Sequence, residues 1–216
     1  MSICQPIRAL CLLVALANLS LAAAQDALAG RITMALGEVS VLDAAGNTRP
    51  VDRLSEIHVG DQLVTGADGI VQMRMADAAI ILLRCESRLS IVSYRFQGDS
   101  GDRADLLLHA GGLRTITGAI GAGQYRLRTA LAELITDATG GDVGLTLVSP
   151  SSQAVAVYDG AFRLESPGGE LAMGVRADVD FATLESGQAP RGQGVQPAAL
   201  ANPCGGNNGI ILQQGV

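Results

Sequence analysis

The chain has 216 residues, a formal net charge of −6, three Phe, three Tyr and no Trp. An acidic chain without a basic cluster is a poor match for nucleic acid, where affinity comes from cations on phosphates, and the scarcity of aromatics speaks against stacking platforms for sugars or single strands. The length suits one all-β domain with a real core, or two small ones.

The first element is a leader. Arg8 supplies a positive charge, Ala9 to Leu21 is an apolar run broken only by Asn18 and Ser20, and Ala22-Ala23-Ala24 offers small residues for cleavage before Gln25, with Ala27-Leu28-Ala29 as a second option. This pattern predicts a secretory signal peptide over residues 1–24. The run is shorter than the roughly 20 residues that cross a bilayer, and no later run reaches that length. The expected location is therefore periplasmic or secreted, with no membrane span after cleavage. No cysteine follows the small residues, so a lipid anchor is not expected. Cys4 and Cys11 leave with the leader, and Cys85 and Cys204 remain. Two readings stay open: a disulfide tying the C-terminal Asn202-Pro203-Cys204 segment to the middle of the domain, or Cys85 as a small buried hydrophobe in its apolar run.

Short strand signals follow, separated by turns. Glu38 to Leu42 alternates, then Asp43-Ala44-Ala45-Gly46-Asn47 turns. Gly60, Asp61, Gly66, Asp68 and Gly69 break the chain every few residues before Val71, Met73 and Met75 alternate with Gln72 and Arg74. Glycine and Asp favour tight turns, and period two marks a strand with one buried face. Leu89 to Tyr94 and Ala104 to His109 continue the pattern, and Gly111-Gly112 turns. Tyr94 and Phe96 fall on one strand face and read as core. Gln124, Tyr125, Arg126, Leu127, Arg128 and Thr129 alternate with the two Arg facing out. Residues 130–135 are read as strand although short helix formers begin the run. Ala154 to Tyr158 meets Asp159-Gly160 and returns as Ala161 to Glu165, a hairpin-type signal. The domain is placed at 25–182, and the Gly-, Gln- and Pro-rich remainder, 183–216, reads as a flexible tail.

An irregular repeat runs through the domain. Val64-Thr65-Gly66-Ala67, Ile116-Thr117-Gly118-Ala119 and Ile135-Thr136-Asp137-Ala138 each precede a glycine-containing loop and an alternating strand. The spacings are unequal, so a strict solenoid is excluded. The expected architecture is all-β, with short strands in a rolled, solenoid-like or sandwich arrangement.

Chemical motifs are sparse. His58 and His109 sit in different strand contexts, and no paired His or Cys spacing suggests a metal. There is no Gly-x-Ser-x-Gly elbow or phosphate-binding loop. Asp99, Asp102 and Asp105 share a glycine loop, but Arg103 interrupts them and the calcium-loop spacing is absent. The expectation is a non-enzyme without metal or cofactor.

The order GEVSVLDAAG, VGDQLVTGADGIVQMRMADAAIILL, SRLSI, LLLHAGGLRTITG, YRLRTALAEL and ATGGDVGLTLV resembles the FecR domain, the periplasmic sensing domain of bacterial iron-uptake regulators. The resemblance covers about Ile32 to Leu164, and Gly111-Gly112-Leu113-Arg114 is among its most specific pieces. The chain departs from the family at Asp77-Ala78-Ala79, where Asp-Gly-Ser is usual, and at Gly140-Gly141, where Gly-Thr is usual. A signal peptide stands where family regulators carry a cytoplasmic segment that handles a sigma factor. The resemblance therefore implies a periplasmic interaction module that senses or binds another envelope protein. A structural or surface-associated envelope protein without a signalling role is the alternative. The candidate interaction edge is Gln124–Thr129.

Overall fold

The computed structural model describes residues 27–174 and 179–193. The expected leader, the greater part of the expected tail and Cys204 lie outside them. Among the described residues every regular element is a β-strand. They are β1 (Leu28–Leu36), β2 (Val39–Leu42), β3 (Thr48–Pro50), β4 (Glu56–His58), β5 (Gln62–Thr65), β6 (Ile70–Met75), β7 (Ile80–Leu83), β8 (Arg88–Arg95) and β9 (Arg103–Ala110). The second half adds β10 (Gly112–Thr117), β11 (Tyr125–Arg128), β12 (Glu133–Thr136), β13 (Gly141–Ser149), β14 (Ser152–Asp159), β15 (Ala161–Ser166), β16 (Gly169–Gly174), β17 (Phe181–Glu185) and β18 (Arg191–Gln193).

The strands form two nine-stranded sheets. Sheet A runs β18-β17-β14-β13-β10-β7-β6-β1-β4, and sheet B runs β16-β15-β12-β11-β9-β8-β5-β2-β3. The chain shuttles between them, laying down one or two strands in a layer before crossing. A two-strand excursion returns the chain antiparallel to the strand it left. Of the single-strand excursions, the one through β10 returns the chain beside the strand it left and parallel to it, so β9 and β11 form a parallel pair. Of the rolled, solenoid-like and sandwich arrangements expected, the two sheets fit the sandwich.

Alternation supplies the core. Val71, Met73 and Met75 of β6 are buried while Arg74 faces solvent. Ala104, Leu106 and Leu108 of β9 are fully buried and meet residues of the opposite sheet in one cluster spanning both layers. Burial of each such Leu is worth about 1.5–3 kcal/mol. The cluster includes Tyr94 and Tyr125, with Phe96 packed against it, so the aromatic pair serves the core as expected.

The repeat acquires a structural meaning. Thr65, Thr117 and Thr136 each end a strand, are buried, and stand where the chain leaves one sheet for the other. Thr65 Oγ1 donates to Arg84 O and accepts the Ser87 N–H. Thr117 Oγ1 donates to Gly141 O.

Two expectations are corrected. Asp159-Gly160 does not close a hairpin: β14 pairs with β13 and β17, while β15 pairs with β12 and β16. Gly160, at φ +87°, carries the chain across the sandwich. An Asp-Gly turn supplies the sharp reversal in either setting, and the pairing is decided by which layer has an open edge. The domain also does not stop at 182. β17 spans that boundary, and β18 adds a further strand through Gln193.

Candidate interaction site

β11 is not an edge. It pairs with β9 on one side and β12 on the other, and Tyr125 and Leu127 are buried. Its outward arginines bind neighbouring strands. Arg128 donates twice to the Asp105 carboxylate on β9, at 2.6 and 2.8 Å, and Arg126 reaches Glu133 on β12 at 3.2 Å. Opposite charges across adjacent strands favour their register. The Gln124–Thr129 expectation is therefore overturned. Alternation in the sequence shows which way side chains point, and it carries no information about what lies beside the strand.

Among the described residues the terminal strands are β3 and β16 in sheet B, and β4 and β18 in sheet A. β3 and β4 are three residues long, and β3 ends in Pro50, a common way of blunting an edge. β18 is also three residues long. β16 has six residues and no proline. The Asp137 N–H donates to Ala161 O, so alternate residues of β15 turn toward β12 and the intervening ones toward β16. In that phase Met173 and Leu171 bond β15, while Glu170 and Ala172 direct backbone N–H and C=O outward. Their side chains are exposed, and Met173 is buried in the core. Sequence reading missed this strand, although Ser166-Pro167-Gly168-Gly169 before Glu170-Leu171-Ala172-Met173 is a turn followed by a strand.

At the opposite end a polar cleft of about 510 Å³ is lined by Asp43, Arg49, Ser55, Glu56, His58 and Asp61. The buried Asp61 carboxylate accepts the His58 N–H at 3.0 Å and Arg49 at 3.2 Å. His58 Nε2 lies 3.6 Å from Glu56, and the Ser55 hydroxyl accepts the Asp52 N–H. These contacts tie turns together. His109 lies on the other sheet, 2.9 Å from Ser90 Oγ. Burial, helped by the Arg88 charge, pushes its imidazole below the usual pKa. The Asp99–Asp105 loop also binds itself. Asp102 accepts the Gln97, Gly98 and Asp99 N–H groups, and Arg95 bonds Asp99. The bond from Arg95 holds the Asp99 carboxyl down at about 2.

The other expected turn residues act through packing. Asp68 accepts the Glu38 N–H, and Gly66 and Gly69 lie against Glu38. Gly60 accompanies Asp61 at the β4–β5 turn. Gly111, at φ +73°, abuts Ser87, whose hydroxyl accepts the Gly112 N–H. Asp77, which the sequence marks only as part of a departure from the family pattern, is a buried hub. Its carboxylate accepts the Tyr94 hydroxyl at 2.5 Å, the Ala79 N–H at 3.0 Å and the Ile120 N–H at 3.4 Å. Desolvation, with the Asp77 charge nearby, raises the Tyr94 phenol well above its usual pKa.

Cys85 is buried and disulfide-bonded, so it is not a plain buried thiol. Cys204 lies outside the described residues. Among the described residues no helix is long and apolar enough to cross a membrane, and no group of three or more acidic, His or Cys side chains is placed to hold a metal.

No family model and no curated protein matches the chain at a significant level. Among solved structures it is similar to two crystal structures described as a candidate anti-sigma factor from Parabacteroides distasonis ATCC 8503. One aligns with 60% of this chain and 58% of its own at 13% identity and a TM-score of 0.46. The other aligns with 61% and 59% at 11% identity and the same TM-score. This chain thus spans less than two thirds of their length. A cell surface anchoring domain matches 28% of the chain and 80% of its own at 26% identity, with a TM-score of 0.28.

Proposed function

We propose that the protein is a non-catalytic, exported FecR-type module that binds another protein of the cell envelope, accepting an extended segment of it along β16. The observation that carries this reading is the outward backbone row at Glu170 and Ala172 on a six-residue terminal strand. Strand addition uses such rows: main-chain hydrogen bonds supply affinity, and alternate side chains supply selectivity. The resemblance in sequence order to periplasmic sensing domains supports a signalling setting.

The test is quantitative affinity capture from an envelope extract, comparing Gln25–Val216 with the same chain carrying Ala172→Pro. Proline removes an outward N–H and is tolerated at a sheet edge. Loss of about 1.4 kcal/mol would lower recovery roughly tenfold. Equal recovery by a variant with unchanged melting temperature removes β16 as the site. Absence of any partner in both arms favours the structural, surface-associated alternative.

A further inference from the structure

The outer face of sheet B ends in a row of carboxylates. The register sets Glu133 on β12 opposite Glu165 on β15, and Glu165 opposite Glu170 on β16. Like charges facing each other across strands are unfavourable, so the row needs counter-charges. Arg126 serves Glu133 at 3.2 Å, and Arg163 serves Glu165 at 2.6 Å. Arg163 also bonds Asp137 at 3.0 Å. Glu165, Asp137 and, last in order, Glu170 together raise the Arg163 pKa, so one guanidinium answers three carboxylates. Glu170 itself makes no hydrogen bond or ion pair among the described residues, and it is exposed. The acid at the open end of the row is the one left over.

The next two rows differ in chemistry. Leu134, Leu164 and Leu171 turn inward, and Leu171 is half-buried against the core. Ile135, Arg163 and Ala172 return to the outer face, so a guanidinium stands behind Ala172. Three successive positions of the edge are thus acidic, apolar and backed by a cation. The chain itself marks the ends of this stretch: Ala189 lies beside Gly169, and the Gly174 N–H donates to Val179 O.

We infer that the segment accepted along β16 carries Lys or Arg where it faces Glu170, an aliphatic residue where it faces Leu171, and an acidic or uncharged residue where it faces Ala172. This rests on the strand-addition reading above and adds the partner's side-chain chemistry to it. The cation supplies the sign that the carboxylate row lacks, and opposite charges across strands favour pairing. The aliphatic side chain covers the exposed part of Leu171. A second cation, opposite Ala172, would meet Arg163. A second copy of this chain is a poor occupant. Antiparallel pairing of β16 with its own copy about Glu170 sets the two acids opposite each other. Pairing about Leu171 leaves them diagonal, about 7–8 Å apart, within the ~8–10 Å over which charges act at ordinary salt.

The test pans a phage-displayed library of random heptapeptides against the immobilised chain Gln25–Val216. Glu170→Gln, Glu170→Lys, Arg163→Gln and Ala172→Pro serve as parallel targets, each checked for an unchanged melting temperature. The unaltered chain should enrich, several-fold over the starting library, sequences with a basic residue two places from a non-basic one and an aliphatic residue between. Glu170→Gln should lose the basic preference, and Glu170→Lys should exchange it for an acidic one at the same place. Arg163→Gln should admit a second basic residue. The same motif from the unaltered chain and from Glu170→Lys, absent with Ala172→Pro, overturns the charge assignment and leaves the β16 site standing. A motif that survives Ala172→Pro, or no enrichment on any target, overturns both.

Discussion

Replacing Asp77 with Ala should be among the most damaging single changes in the sandwich. The side chain is 2% exposed and receives hydrogen bonds from Tyr94, Ala79 and Ile120. Ala removes the acceptor and leaves the donors dry. Each buried donor without a partner costs about 1–3 kcal/mol. The Ile120 bond is long and counts least, so the expected loss is about 3–5 kcal/mol, at the upper end for a point change. Tyr94→Phe removes one donor and leaves the carboxylate its two amides, and should cost about 1–2 kcal/mol. In the double variant the costs should fall short of additivity by about 1 kcal/mol or more, because one penalty is shared. Urea unfolding followed by circular dichroism measures this. With m near ~2 kcal/mol per molar, Asp77→Ala should lower the midpoint by roughly 2 M at unchanged m. A loss below about 1 kcal/mol, or additive costs, would refute the reading of Asp77 as the hub holding the β6–β7 turn to β8 and the segment after β10.

Ala78 sits at φ +70° and is exposed. Ala78→Gly should stabilise the protein by roughly 0.5–1 kcal/mol, the left-handed penalty less the added chain entropy, seen as a higher melting temperature. Gly111→Ala should lose about 3 kcal/mol or more, because a Cβ would lie 2.1 Å from Ser87 Oγ and 2.7 Å from Glu86 O at a positive φ; a neutral melting curve would contradict the packing. Thr136 Oγ1 is buried without a hydrogen-bond partner among the described residues. Thr136→Val should thus gain about 1 kcal/mol, whereas Thr65→Val, which strands the Ser87 N–H, should lose about 1–2 kcal/mol. The Asp99 carboxyl should titrate near 2 against an ordinary value of 3.8. A depressed carboxyl adds stability above its unfolded pKa and loses it as pH falls through the folded one, so carboxyl-carbon NMR should show Asp99 still ionised at pH 3.

Much of the strand content was legible, because period two in β6, β8, β9 and β11 reports directly on which side chains meet the core. Layer assignment was not. Val155 and Leu164 have the same pattern whether their strands pair or lie in opposite sheets, and only the open edges left by β13 and β12 separate the cases. The recurring Thr was visible as a repeat, but its position at a crossing is a property of three dimensions. Arg126 and Arg128 looked like guards of an edge because their carboxylate partners lie on β12 and β9. The β16 edge was hidden because a strand's place at the end of a sheet is a property of the pairing and not of its own residues, and composition pulled the domain limit inward to 182.

Apart from β4 and β3, which lie outside β1 and β2, the order of strands along each sheet follows the order of the chain, and this shapes assembly. Among β1 to β7 only β5 and β7 also pair with later strands, β8 and β10, so the β4-β1-β6-β7 and β3-β2-β5 groups can pair before any residue beyond Leu83 has been delivered. A polypeptide delivered N-terminus first can therefore consolidate from the β3–β4 end, adding rungs as they arrive. At every stage the incomplete molecule presents a growing edge in each layer, and the next segment of chain caps it. Among the described residues the last rung of sheet B is β16, the place where a partner's strand would add the next rung.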